Sequence, residues 1–240
     1  MAAWAALFQK DFRLTRTVFF TGLVINLLSV VFAYFVGIYP FIPMLAAGVI
    51  HVFYFPIMLF ASMRTEAGQM HRWLHNPRPA MLLLLSKLAS VLATTLVSLA
   101  VLYVMAGVLP WSRFSLVEAY WTDLWRAGWL IFLHIVLVSA ALGAWVLLLW
   151  SLHHALKYWI GRWTWLVLPA VAVVVWWLSG LVQSTPLYAW LTHWGRMEMG
   201  FPAFSMEPIT VFAGEYAYHL LIFAGLVYVS AWIIDRKVEV

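Results

Sequence analysis

Residues 63–79, MRTEAGQMHRWLHNPRP, gather Arg64, Glu66, His71, Arg72, His75 and Arg78 between two long apolar runs. A bilayer core about 30 Å thick takes about 20 apolar helical residues per crossing. On either side of 63–79 lie six runs of that kind in all: 18–38, 41–62, 87–109, 128–152, 164–182 and 211–234. They rarely alternate apolar with polar residues, so a transmembrane barrel does not fit, and a helix bundle is what satisfies the backbone in lipid. The expected fold class is all-α integral membrane, with six transmembrane helices in one domain spanning residues 1–240.

Composition points the same way. The chain is 65% hydrophobic and 10% charged, whereas about a quarter of the residues in a soluble domain are charged. Cysteine is absent, which excludes a disulfide framework, a thiol nucleophile and a cysteine-ligated metal. Near the N-terminus Lys10, Arg13 and Arg16 follow an apolar stretch rather than precede it, and no small-residue cleavage site comes after them. The expectation is an uncleaved start.

Lys and Arg accumulate in cytoplasmic loops. With the N-terminus inside, the cytoplasmic set is Lys10, Arg13, Arg16, Arg64, Arg72, Arg78, Lys87, Lys157, Arg162, Arg236 and Lys237, against Arg113, Arg126 and Arg196 outside. That bias predicts N-in, C-in, and accounts for most of the net charge of +5 without a nucleic-acid partner. Tryptophans fall near both expected interfaces, Trp111, Trp125, Trp190 and Trp194 on one side and Trp150, Trp159 and Trp232 on the other.

Residues 1–16 read as a helix lying in the membrane surface. Trp4, Leu7, Phe8 and Phe12 share one side, and Gln9, Lys10, Arg13 and Arg16 the other, with Asp11 misplaced on the apolar arc. Ser115 and Glu118 have capping-box spacing ahead of an aromatic-rich segment expected to lie along the outer surface. Residues 183–210 carry Pro186, Gly195, Gly200, Pro202 and Pro208, so no continuous crossing fits there. Two short re-entrant pieces packed against protein would suit their apolar content. Small residues repeat at four-residue spacing in Ser139 and Gly143, Ala140 and Ala144, Ser86 and Ser90, and Ala89 and Ala93, which predicts close helix contacts.

Within 63–79, Ala67, Met70, Trp73 and Leu74 gather on one helical arc, with Arg64, Gln69, His71, Arg72 and His75 on the opposite one. The expectation is a short amphipathic helix ended by the prolines after Asn76. A stiff helix with a basic face suits docking to another protein, while a solvated loop whose arginines only fix topology is the plainer alternative.

Among the intramembrane positions, His51, His134 and His219 are candidates for a substrate pathway, with Glu215 at the start of the last crossing. The same histidines leave open neutral side chains bonded to neighbouring helices, and bis-histidine haem ligation in an electron-transfer subunit. "HRWLH" has zinc-like histidine spacing, but Arg72 stands where a metalloprotease needs its glutamate. The outer acids Glu118, Asp123, Glu198, Glu207 and Glu215 would suit a cationic amphipathic substrate. No G-x-x-x-x-G-K-[ST] occurs, so the sequence offers no phosphate cradle of its own.

The order of elements resembles the ABC-2 type permeases of ATP-binding-cassette exporters. It comprises the basic surface helix AAWAALFQKDFRLTRT, a hairpin of two crossings, the cytoplasmic segment RTEAGQMHRWLHNPRP leading into LLLLSKLAS, and a broken outer segment before the last crossing. The resemblance implies that Arg64, Glu66, Gly68, His71, Arg72 and His75 form a coupling helix seated on a separate cytoplasmic ATPase subunit, which binds the ATP and magnesium. It implies a non-enzymatic permease in a bacterial inner membrane, paired with an identical or different second permease. Its substrate would be an amphipathic compound, a toxin or antimicrobial peptide before a lipid or drug. A membrane anchor for a cytoplasmic complex is a third reading.

Overall fold

A computed structural model describes residues 2–36, 41–68, 78–108, 115–201 and 206–238. The helices are α1 (Ala2–Val36), α2 (Phe41–Ile50), α3 (Tyr54–Ala67), α4 (Ala80–Val108), α5 (Ser115–Ile160), α6 (Thr164–Gln183), α7 (Pro186–Thr192) and α8 (Ala213–Lys237). Short 3₁₀ turns, His51–Phe53 and Gly161–Trp163, join α2 to α3 and α5 to α6. A two-stranded antiparallel hairpin, β1 (Arg196–Phe201) and β2 (Met206–Phe212), precedes α8.

The stretches long and apolar enough to cross a bilayer, among the described residues, are Ala5–Phe35, Leu45–Ala67, Ala80–Ala106, Thr122–Gln183 and Ala213–Lys237. Thr122–Gln183 holds two helices, because Gly161 turns the chain at φ +54, a conformation that costs glycine little. The architecture is that of an all-α membrane protein, with the hairpin as its one β element among the described residues.

An apolar core around Phe55, Met58, Leu59, Leu84 and Leu147 is shared with many polar side chains, while large apolar side chains face outward. Asp11, Thr15, Asn26, His51, Ser62, Ser86, Lys87, Ser90, Thr94, Thr95, Ser98 and Ser139 are buried, while Phe20, Leu28, Phe32, Val49, Phe53, Trp165 and Trp176 are exposed. Large exposed apolar surface is costly in water but not in lipid, and polar side chains there turn inward to find partners. Helix α4 is central, packing on α1, α3 and α8. Its polar residues Ser86, Ser90, Thr94 and Ser98 recur every four positions and so line one face.

Several local expectations change. Residues 1–16 are not a separate surface helix. No proline lies between residues 2 and 36, nothing breaks the helix, and α1 runs through, about 52 Å at 1.5 Å per residue. Its predicted basic side is exposed at Gln9, Lys10, Arg13 and Arg16, but the other side, with Leu7 against the main core and Asp11 buried, packs on protein. The aromatic stretch after Ser115 is likewise the first part of the 46-residue α5, not a surface helix of its own.

The described part of residues 183–210 contains the two-turn α7 and the hairpin, two short pieces where re-entrant segments were expected. Thr185 caps α7, its Oγ1 accepting from the Tyr188 N–H at 3.2 Å, with Pro186 in the first turn. Ile209, Thr210, Val211 and Phe212 favour an extended strand, opposite Met199, Glu198, Met197 and Arg196. The last helix therefore begins at Ala213 rather than 211. Helix α4, expected as the third crossing from residue 87, begins at Ala80, two turns earlier, which carries Lys87 inside the bundle.

The small-residue strips do receive neighbours. Gly143 and Ala144 are buried, and a side chain on Gly143 would collide with the Phe55 ring. Tyr54 ties α3 to α1 by donating to the carbonyls of Phe19 at 3.0 Å and Val18 at 3.3 Å.

Candidate functional site: a buried ion cluster at one end of the bundle

Among the described residues, the strongest concentration of buried charge lies where the N-terminal part of α1, the end of α3 and the beginning of α4 meet. Lys87 is 1% exposed. Its Nζ donates to Asp11 Oδ1 at 2.9 Å and to Ser62 Oγ at 3.0 Å. It also lies 2.9 Å from Glu66 Oε2, an ion pair off the direction of a good hydrogen bond, since that oxygen has no hydrogen-bond partner. Ser86 donates to the second oxygen of Asp11 at 2.8 Å, and Lys10 donates to the other oxygen of Glu66.

The cluster balances: Lys10 and Lys87 against Asp11 and Glu66. A buried ammonium without partners would lose its charge or destabilise the fold by several kcal/mol, and here two carboxylates from two helices hold it. Close by in the chain, the first N–H of α4, that of Ala80, donates to Asp235 Oδ1 of α8 at 3.0 Å. A carboxylate at a helix N-terminus satisfies an orphan donor and meets the positive end of the helix. Four helices are thus fastened to one another at the two ends of the 69–77 segment.

Of the predicted coupling residues, Arg64 is exposed on the last turn of α3 and Gly68 is the residue after that helix. Glu66, in contrast, turns inward to both lysines. His71, Arg72 and His75, with the apolar arc of Met70, Trp73 and Leu74, lie outside the described residues.

The intramembrane histidines are not brought into one site. His51 Nδ1 lies 2.7 Å from the Ala47 carbonyl, which can only accept, so Nδ1 carries the proton. With the ring neutral, Nε2 accepts from Ser98 at 3.0 Å, and Ser98 in turn receives the Asn26 amide on its carbonyl at 2.9 Å and on its hydroxyl at 3.3 Å. His51 stands at the 3₁₀ turn, where Pro56 cannot donate to Val52, and Ser139 of α5 covers the His51 carbonyl at 3.4 Å. His134 repeats the arrangement, with Nδ1 2.8 Å from the Leu130 carbonyl and Nε2 3.2 Å from the Tyr216 hydroxyl. In both, each ring nitrogen has a partner within the protein.

His219 is exposed on α8, apart from the other two. Glu215 sits in the first turn of α8, 3.9 Å from His193 Nε2. Burial and the nearby Glu215 charge push the Tyr188 phenol above its ordinary value. Among the described residues no three His, Asp or Glu side chains gather as a metal-holding set.

Sequence reasoning missed Asp11, Lys87, Asn26, Ser98 and Asp235. Faint signals were there: an acid on an apolar arc, a lysine inside an apolar run, and Ser or Thr every fourth residue along α4. No family model matches the chain, and comparisons with curated proteins and with solved structures return no match.

Proposed function

We propose that this chain is the membrane-spanning subunit of an ATP-driven exporter of the ABC-2 type. It crosses a bacterial inner membrane six times with both termini inside, and works with a second permease and a cytoplasmic ATPase subunit that binds and hydrolyses the nucleotide. The exported compound is amphipathic, a cationic peptide before a lipid or drug. The chain itself performs no chemistry.

The observation that most supports this reading is the ion cluster at the root of the 69–77 segment. An element that transmits force needs a stiff base. Lys87, Asp11, Glu66 and Lys10 join α1, α3 and α4 beside the point where the segment leaves α3, and Asp235 adds α8 where α4 begins. A push on the segment would then tilt several helices together instead of bending one loop. Arg64, exposed beside this base, is available to a docked partner.

The test is reconstitution with the ATP-binding subunit. Arg64→Glu with Arg72→Glu is expected to abolish ATPase association and transport while the permease stays inserted, because charge reversal at a docking face repels the partner. Unchanged association and transport in that double variant would overturn the reading.

A further inference from the structure

At the end of the bundle remote from Lys87, where the hairpin meets α5, a groove of about 480 Å³ is lined by Arg126, Trp129, Leu130, Leu133, Glu198 and Met199. We propose that this groove holds one phospholipid with a zwitterionic headgroup, its phosphate against Arg126, its ammonium against Glu198, and an acyl chain along Trp129, Leu130 and Leu133. The inference rests on the membrane character of the chain and not on the exporter reading.

Charge complementarity carries it. Arg126 and Glu198 present opposite charges at one groove, with side chains 61% and 52% exposed. Each has an ion contact within the protein, Arg126 with Asp123 at 3.9 Å and Glu198 with Arg196. The Arg196–Glu198 pair is exposed and contributes little, and Arg126 meets the buried Asp123 only at 3.9 Å, beyond hydrogen-bond length, so both groups can turn to a ligand. Arginine suits a phosphate because its planar fork bonds two oxygens at once. The carboxylate beside it disfavours an anionic headgroup and favours one that brings its own cation.

The wall below the charges is apolar and open. Trp129 is 55% and Leu133 45% exposed. Trp129 is held edge-on between Trp125 and Phe132, with ring centroids 6.0 and 5.7 Å away. From Arg126 to Leu133 the helix advances about 10 Å, the drop from headgroup level into acyl chains. At Gly200 nothing approaches within 4 Å of where a side chain would stand, so the strand leaves the groove open.

Native mass spectrometry of the full chain, titrated in mild detergent with phosphatidylethanolamine or phosphatidylglycerol, tests this. The expected result is one phosphatidylethanolamine per chain, retained in preference to phosphatidylglycerol. Glu198→Gln should erase that preference while leaving phosphatidylglycerol binding intact, and Arg126→Gln should weaken both lipids about tenfold. Equal retention of the two lipids by the unaltered chain would overturn the proposal, as would unchanged binding in both variants. Displacement of lipid by a cationic amphipathic peptide that Glu198→Gln releases would also overturn it, reassigning the groove to substrate.

Discussion

Lys87 Nζ and Asp11 Oδ1 meet at 2.9 Å across 76 residues of chain, with both side chains almost wholly buried. A pair this deep organises the helices around it less by its net strength than by the penalty for breaking it. If one partner is removed, the other is stranded in low dielectric.

Lys87→Met should therefore destabilise the protein by about 3–5 kcal/mol, the cost of leaving buried carboxylates without their cation. Adding Asp11→Asn and Glu66→Gln should recover most of the loss. Thermal unfolding in detergent, followed by tryptophan fluorescence, measures both. A single variant as stable as the parent would show that the cluster does not hold α1, α3 and α4 together.

Ser98→Ala removes the hydroxyl between His51 and Asn26 while leaving the backbone carbonyl that Asn26 also uses. The His51 Nε2 lone pair is then buried without a donor, at an expected cost of about 1–3 kcal/mol. Ser98→Thr, which keeps the hydroxyl, should cost less than Ser98→Ala in the same unfolding assay. The opposite order would argue against the bond.

Gly143→Ala places a methyl group against the Phe55 ring at a separation no packed core tolerates. Overpacking of this kind costs about 1–3 kcal/mol. Phe55→Leu, which yields ring volume, should partly rescue Gly143→Ala, and a double-mutant cycle reads the coupling directly. Additive losses would mean that the two residues do not touch.

Asp235→Ala leaves the first N–H of α4 without its acceptor. The expected loss is about 0.5–2 kcal/mol, the range for deleting a helix cap. Asp235→Asn, which keeps an acceptor oxygen but no charge, should fall between the two, and chemical denaturation in mixed micelles would rank the three proteins.

The chain contains no cysteine, so single cysteines report sidedness without background. Gly68→Cys and Arg236→Cys should react with a membrane-impermeant maleimide only from the cytoplasmic side, and Glu207→Cys only from the outside. Labelling of Gly68→Cys from outside would reverse the topology and remove the proposed ATPase docking face.

Which stretches form the long helices was legible from the residues alone, although the starts of α1, α4 and α5 were not. That information is local, because an apolar stretch of bilayer length announces a helix whatever it packs against, and Pro186 punctuates the chain through its own backbone chemistry. It equally gave the exposed basic side of α1 and the small-residue strip at Gly143, since helical periodicity fixes which residues share a face. Even the histidines were half legible: a neutral ring in a membrane helix must find acceptors and donors, and the carbonyl four residues earlier is always within reach.

What those faces meet depends on how the helices pack. Asp11 looked misplaced on an apolar arc because its partner stands 76 positions away, and Lys87 looked like one more topological charge because its depth depends on where α4 begins. Electrostatic pairing in a buried site acts through space and leaves no periodic trace in the sequence. The carboxylates and ammonium groups that fasten this bundle become readable as a unit only once four helices are brought side by side.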